Sequence, residues 1–323
     1  MIRNSIFNNN SGSIAGAIYN FGSLIVTDST FNANSNTAIY NMAVLTVTNS
    51  TFSDNSALSG GAIFGGALTV EASSFKNNSA TSGDGGAIDS GEVLITNSTF
   101  DNNSASRNGG GISSGKVLTI TNSTFSHNRA TAGGGVYNDL GSVTLISNST
   151  FSGNSATSNG GGIFNEFGTL TITNNTLSNN LASKGGGIYN IFQLHLRNTL
   201  IANSLSGGDC VTEFSGMILT NLNNLIEDGS CTPALSGDPN LALLQNNGGL
   251  PTSSGQPTFT HALLFPSPAI DAGDPASCPS TDQRNISRPR DGNGDGLFVC
   301  DIGAFEALAL PTDFIYLPIV AKR

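Results

Sequence analysis

The chain has 323 residues, a net charge of −10 and 40 glycines, and only 11% of its residues are charged. Its 12 basic residues are too few and too scattered to track a phosphate backbone, which excludes nucleic acid as a partner. No apolar run approaches the roughly 18 residues that cross a bilayer, so no transmembrane segment is expected, and the shortage of strong helix formers points to an all-β fold.

The chain opens on "MIRNSIFNNN", which has no apolar core of a secretory signal and reads as the middle of a repeating unit. The expectation is that a signal and a capping unit lie upstream, since stacked repeats need caps. From there a phrase recurs: "TNSTFSDN" at 48–55, "TNSTFDNN" at 96–103, "TNSTFSHN" at 121–128 and "SNSTFSGN" at 147–154. Its aromatic anchors are Phe7, Phe31, Phe52, Phe75, Phe100, Phe125 and Phe151, spaced by 21 to 26 residues, with Leu177, Leu200 and Leu225 continuing the series. Three residues after each anchor up to Leu200 stands an asparagine, and Asn55, Asn78, Asn103, Asn128, Asn154 and Asn180 are the clearest members of this structural ladder.

Five and seven residues before the anchors lie apolar pairs such as Val47 with Leu45, Ile95 with Val93 and Ile172 with Leu170. That period of 2 places both on one face of a strand. "SVTLISN" before Phe151 breaks the phase and "FQLHLRN" before Leu200 is one residue short, so bulges are expected in both. After each anchor a third short strand is read from "GGAIFG" at 60–65, "GGAIDS" at 85–90 and their later copies.

A unit this small cannot bury its apolar side alone, but stacked units can. The fold class that follows is an all-β, right-handed parallel β-helix of three short strands per rung, occupying residues 1–228 with nine or ten rungs and closed by a small C-terminal capping domain. Asparagine at a strand corner tolerates the left-handed conformation and can bond its stacked copies, and the glycine runs turn a tight corner. The stretch between each Phe and the next glycine pair varies most in length, so that edge is where a binding surface is expected.

Four cysteines fall late in the chain: Cys210, Cys231, Cys278 and Cys300. An even count without zinc spacing reads as two disulfides of open connectivity, the alternative being buried thiols. In "DGNGDGLFVCD", Asp291, Asn293 and Asp295 alternate before Gly296, the order of a calcium loop, with the Leu297 carbonyl and Asp301 as further ligands. A metal-free turn is the alternative, since Ile302 stands where such a loop needs Glu. Asp271, Asp274, Asp282 and Arg284 also cluster, and structural ion pairs with Arg284, Arg288 or Arg290 explain them best.

FxxN paired with GGA[IV] resembles the repeats of the chlamydial polymorphic membrane proteins, over residues 1–204. That resemblance implies a right-handed β-helix passenger and a surface adhesin. That family's pattern places a membrane β-barrel after the repeats, and none is expected from the residues that follow them here. "SPAIDAGD" at 267–274, "RPRDG" at 288–292 and "CDIGAFE" at 300–306 are similar to the choice-of-anchor Q domain of secreted bacterial proteins, over residues 205–307. It implies a C-terminal domain at 229–310 following a β-helix, and a tail at 311–323 whose "IYLPIVAKR" is similar to short tails of exported proteins.

The function expected is a secreted or bacterial cell-surface scaffold or adhesin, non-catalytic, touching glycans or cell-surface proteins, with calcium the one cofactor candidate. The alternative is a polysaccharide lyase or glycoside hydrolase of the pectate-lyase-like architecture. Such enzymes need carboxylates with a base beside them or paired acids. Asp28, Glu71, Asp89, Glu92, Asp139 and Glu166 fall in different phases of the repeat, and His127 and His195 stand singly. Outward threonine rows such as Thr46 with Thr48 and Thr171 with Thr173 suit an ice-binding face, but Ile25, Glu71 and Leu94 interrupt them, so a solvated face is expected.

Overall fold

The computed structural model describes residues 1–255 and 257–308, so the tail read at 311–323 lies outside the described residues. Among them the one helical element is a single turn at Pro275–Ser277; all other regular structure is strand, and the solenoid strands pair in parallel. The chain is a parallel β-solenoid. One sheet holds ten strands in strict chain order, from Ile6–Asn8 to Leu225–Ile226, and aligns Phe31 with Phe52, Phe52 with Phe75, and so on to Phe151 with Leu177. Strand spacing near 4.8 Å forces the rings into register. From Phe7 to Phe151 successive ring centroids lie 4.6 to 4.9 Å apart and within 7° of parallel. All of these rings from Phe31 onward are fully buried, each stabilising the rod by roughly 2–3 kcal/mol.

A second sheet carries the alternating pairs, with Leu45, Val47, Leu68, Val70, Val93 and Ile95 inward. It also contains the GGxI stretch, which the sequence reading made a third strand layer. In the rungs starting at Ile39, Ile63, Ile88 and Ile112 that stretch runs straight into the next pair as one long strand, such as Ile88–Thr96. From Val136 onward a turn splits it into two, Val136–Asn138 and Val143–Ser147. The third layer is instead the dipeptide after the ladder asparagine: Ser56–Ala57, Ser79–Ala80, Ser104–Ala105, Arg129–Ala130 and Ser155–Ala156. A strand of two residues gives no periodic signal, which is why pattern alone passed over it.

Neither expected bulge is where the phase suggested. "SVTLISN" runs in unbroken register, Leu118 with Thr144 and Ile120 with Ile146. Thr144 points inward in place of an aliphatic residue, and its hydroxyl donates to Asn138 Oδ1 at 2.6 Å. "FQLHLRN" is also regular; the anchor of its rung is Ile201, which pairs with Leu177, and Ile226 pairs with Ile201. Counted from Ile201, Leu194 and Leu196 fall in phase. The irregularity lies one rung later, opposite Leu194 and His195, where Ile218 and Thr220 flank an extra residue.

The corners divide their labour. The first glycine of each pair is left-handed, as at Gly85 (φ 64°), and the second has no room for a side chain: a Cβ on Gly86 would stand 2.1 Å from the Gly110 carbonyl. The left-handed asparagines are not the ladder members but their neighbours, such as Asn77, Asn102 and Asn179, together with Asn97, Asn122, Asn148, Asn174 and Asn198 three residues before the anchors.

Past Ile226 the chain covers the last rung, where Leu235 bridges to Leu225, and then turns back along the outside of the Phe sheet. Leu200, Ala202 and Leu225 point outward there, yet they are buried under Leu263, Ala269, Ile302 and Phe305. The segment reaches as far back as Ser253, whose hydroxyl donates to Ser50 O at 2.7 Å. It is therefore a flank cover as well as an end cover.

Candidate functional site

The asparagine ladder is internal. Asn55 Nδ2 donates to Asn78 Oδ1 at 2.9 Å and to Phe31 O at 3.0 Å, and the same pattern links Asn78, Asn103, Asn128, Asn154 and Asn180. Asn203 is outside it: its φ of 57° puts it in the neighbouring left-handed slot, as expected once Ile201 is the anchor. A second ladder went unread in the sequence although its signal, a Ser two residues before every anchor from Phe7 to Phe151, was present. Ser50 N–H donates to Ser73 Oγ, Ser73 N–H to Ser98 Oγ and Ser98 N–H to Ser123 Oγ, each at 3.1 Å. The repeated phrase is thus consumed by the corners it builds.

The C-terminal motifs build the flank. Left-handed asparagines of the solenoid hook its backbone: Asn148 Nδ2 donates to Thr281 O at 2.8 Å, Asn174 to Asp301 O at 3.1 Å, Asn198 to Asp274 O at 3.1 Å and Asn223 to Ala272 O at 3.0 Å. Beneath them Arg284 donates to buried Asp282 at 2.6 Å and to Glu306 O, and its guanidinium lies 3.5 Å over the Phe305 ring. Arg288 pairs with Glu306 at 3.3 Å with both side chains fully buried. Asp282 and the arginines are therefore structural. The Arg290 side chain bonds Ser287, while its backbone N–H donates to Glu306 Oε1 at 2.8 Å. The cysteines pair as Cys210–Cys231 and Cys278–Cys300, with Cα atoms 5.8 Å and 6.6 Å apart. The first ties the last rung to its end cover and the second closes the flank.

Asp291, Asn293 and Asp295 share one exposed loop, but their oxygens take the loop's own N–H groups: Asp291 those of Gly294, Asp295 and Gly296, Asn293 that of Asp295, and Asp295 that of Leu297. The Leu297 side chain is exposed. Asp301 is buried apart from them, accepting from Asp271 N–H and Ala307 N–H, and burial together with the Glu306 charge pushes its carboxyl up to about 7. Among the described residues no group of three or more His, Cys, Asp or Glu side chains is placed to hold a metal ion.

The charged residues read as out of phase are partly in phase. Asp139 and Glu166 each stand three residues after an inward residue, Val136 and Ile163, on paired strands. They gather with Asp84 and Asp89 beside an outward line of the second sheet, whose members pair in order: Tyr19, Tyr40, Phe64, Asp89, Ser113, Tyr137, Phe164 and Tyr189. Aromatic contacts run along it at 5.0 to 5.5 Å except where Asp89 and Ser113 interrupt. Burial, then Asp84 and Asp139, pushes the Asp89 carboxyl up to about 7. Burial and a hydrogen bond to Glu166 push the Tyr137 phenol well above its usual range. Next to Tyr40 and Phe64 lies a cleft of about 230 Å³ walled by Ile14, Ala57 and Leu58 on the variable-loop edge. His195 only bonds Thr220, and exposed His127 pairs with Asp101 at 3.2 Å. The threonine face is interrupted by Leu94, Leu145 and His195 in a single outward row.

No helix among the described residues is long and apolar enough to cross a membrane. Residues 49–66, 72–91, 97–115 and 148–166 match the family model of the Chlamydia polymorphic membrane protein repeat. No curated protein and no solved structure matched. The four matches lie within residues 49–166, and the similarity of the C-terminal segment to the choice-of-anchor Q domain rests on its sequence motifs. Each matched stretch covers the corners just described; 97–115, for example, runs from left-handed Asn97 through Phe100 and Asn103 to the glycines before Ile112. These four stretches of the solenoid are similar to Chlamydia polymorphic membrane protein repeats, and that likeness and the fold together fit a cell-surface protein.

Proposed function

We propose that the chain is a non-catalytic extracellular rod that acts as a scaffold or adhesin on a bacterial surface. The observation that carries this reading is that Phe, Asn, Ser and Gly, the residues repeated from rung to rung, are spent on internal ladders. What varies, and what is left to meet a partner, is the accessible part of the outward line, from Tyr19 through Tyr40 and Phe64 to Asp89, with its neighbouring cleft; Ser113, Tyr137, Phe164 and Tyr189 further along are buried. The test is attachment of the purified, labelled protein to cells, alongside release of reducing ends and unsaturated products from a polysaccharide panel with calcium present. Saturable attachment without turnover supports the rod. Turnover on any substrate overturns it.

One observation favours a second reading. Asp89, with its carboxyl at about 7 beside other carboxylates, has the character of a general acid in a glycan-cleaving site. In that case Asp89→Asn abolishes the turnover seen on the panel.

A further inference from the structure

Most outward carboxylates of the solenoid have a partner. Asp28 pairs with Arg3, Asp101 with His127, Glu92 with Lys116 and Glu213 with Lys184. Asp89 differs. Its carboxylate makes no hydrogen bond or ion pair among the described residues, and the charges that act on it, Asp84 and Asp139, share its sign. It occupies a notch in the aromatic line, between Phe64 on one strand and Ser113 then Tyr137 on the next two. Strand spacing makes the gap from Phe64 to Tyr137 about 14 Å, three strand steps. The notch is continuous with the cleft: Phe64 lines both, and Ser59 of the cleft wall accepts the N–H of Asp84 at 3.3 Å.

We infer that this groove docks a basic, otherwise apolar segment of a partner protein. Its ammonium or guanidinium group sits against Asp89 between Phe64 and Tyr137, and its apolar side chains fill the cleft walled by Ile14, Leu58, Tyr40 and Phe64. Charge complementarity selects the cation: Asp84 and Asp139 share the sign of Asp89 at the notch, and the whole chain carries −10. The cleft selects the rest of the ligand. Ile14, Tyr40, Ala57, Leu58 and Phe64 alternate with Ser13, Asn36, Thr37 and Ser59, but Asn36 donates to Gly12 O, Thr37 to Gly60 O, and Ser59 accepts from Asp84 N–H, so the cleft suits apolar side chains better than the hydroxyls of a sugar. The inference rests on the reading of the chain as a binding rod and names the chemistry of its partner.

The test is fluorescence anisotropy at pH 7.5 with a labelled pentapeptide, Phe-Leu-Lys-Leu-Gly, its analogue with norleucine in place of lysine, and a labelled chitosan tetramer. The lysine peptide is expected to bind at least about tenfold more tightly than the norleucine peptide. Asp89→Asn, checked for an unchanged melting curve, brings the two within about twofold, and Asp295→Asn leaves the preference intact. Ser113→Lys, which fills the notch with the protein's own cation, abolishes binding of the lysine peptide. Equal binding of both peptides, no peptide binding, tighter binding of the chitosan tetramer, or a preference that survives Asp89→Asn overturns the inference. If Asp89→Asn still attaches to cells as the parent does, the groove assignment falls and the rod reading stands; if the parent attaches to nothing yet shows the lysine preference, the reverse holds.

Discussion

Asn78 donates twice to a single atom of Asn103: its backbone N–H and its Nδ2 reach Asn103 Oδ1 at 2.9 Å and 3.0 Å. Asn103 Nδ2 in turn donates to Asn128 Oδ1 and to Phe75 O. Every polar atom of the amide is therefore engaged in a place closed to water. Asn103→Ala leaves the Asn78 N–H, the Asn78 amide and the Phe75 carbonyl without their partner. A cost of about 2–4 kcal/mol is expected, read as a lower urea midpoint. Asn103→Asp is no rescue, because an aspartate cannot donate to Phe75 O or Asn128 Oδ1 and adds a buried charge. A midpoint for either variant within error of the parent would show that water replaces the ladder.

The Phe stack ends in aliphatic residues: Phe151 pairs with Leu177 and Leu177 with Ile201. The interior slot therefore accepts a branched side chain where the neighbouring rung is also aliphatic. Between two rings it does not do so freely. Phe100→Leu is expected to cost about 1–2 kcal/mol and Phe100→Ala about 3–5 kcal/mol, because Phe75 and Phe125 cannot close the gap while strand spacing holds them 4.7 Å and 4.6 Å from the lost ring. Denaturant midpoints of the two variants check this, and equal losses would mean that loss of the ring stack, not the volume of the gap, sets the cost.

The solenoid was legible because its signals repeat: Phe at a fixed offset from Asn and from an alternating pair names a rung even when one copy is degenerate. Where a copy was altered, local pattern misled. Thr144 reads as polar and outward, but it is held inside by Asn138, and Leu200 reads as the interior anchor because Ile201 beside it is equally apolar. Which of two adjacent apolar residues faces in is decided by what lies outside, and that is the flank segment, some 60 residues further along the chain. The groove was illegible for the same reason. Asp84, Asp89, Asp139 and Glu166 come from four rungs, and only stacking shows that they share a side.

The flank is held together internally by buried charge. Asp282 accepts from the Arg284 guanidinium and from the N–H groups of Arg284, Ile286 and Glu306. Asp282→Asn removes the charge that Arg284 needs and leaves the guanidinium buried without a counter-ion. A cost of about 3–5 kcal/mol is expected, confined to the flank, since the solenoid ladders do not pass through it. Limited proteolysis should then cut between residues 240 and 307 at least tenfold faster than in the parent, with the β-sheet circular dichroism unchanged. Unchanged cleavage would mean that the Cys278–Cys300 disulfide and the asparagine hooks suffice.

Acid should loosen the contact between flank and solenoid through His261. Its ring is buried between the flank and the solenoid, with Nδ1 at 2.8 Å from Ala242 O and Nε2 at 2.9 Å from Ser152 Oγ. Burial lowers its pKa, and the hydrogen bond to Ala242 only partly offsets this. A folded pKa below the unfolded value of about 6.5 means that the unfolded chain binds the extra proton first. The stability held by neutral His261 is therefore full above about pH 6.5 and is lost as pH falls below it toward the folded pKa. Asp301 and Asp89, both pushed up to about 7, act with the opposite sign: they favour the folded state once protonated, and that contribution fades as pH rises through 7. His261→Gln separates the two effects. It keeps the carboxylates and one of the two hydrogen bonds but cannot take up a proton. The parent is expected to lose melting temperature between pH 6.5 and pH 5, while His261→Gln, lower at neutral pH by a few degrees, stays flat or rises over that interval. Parallel curves for the two proteins would remove His261 as the source of acid sensitivity and leave the carboxylates to account for the profile.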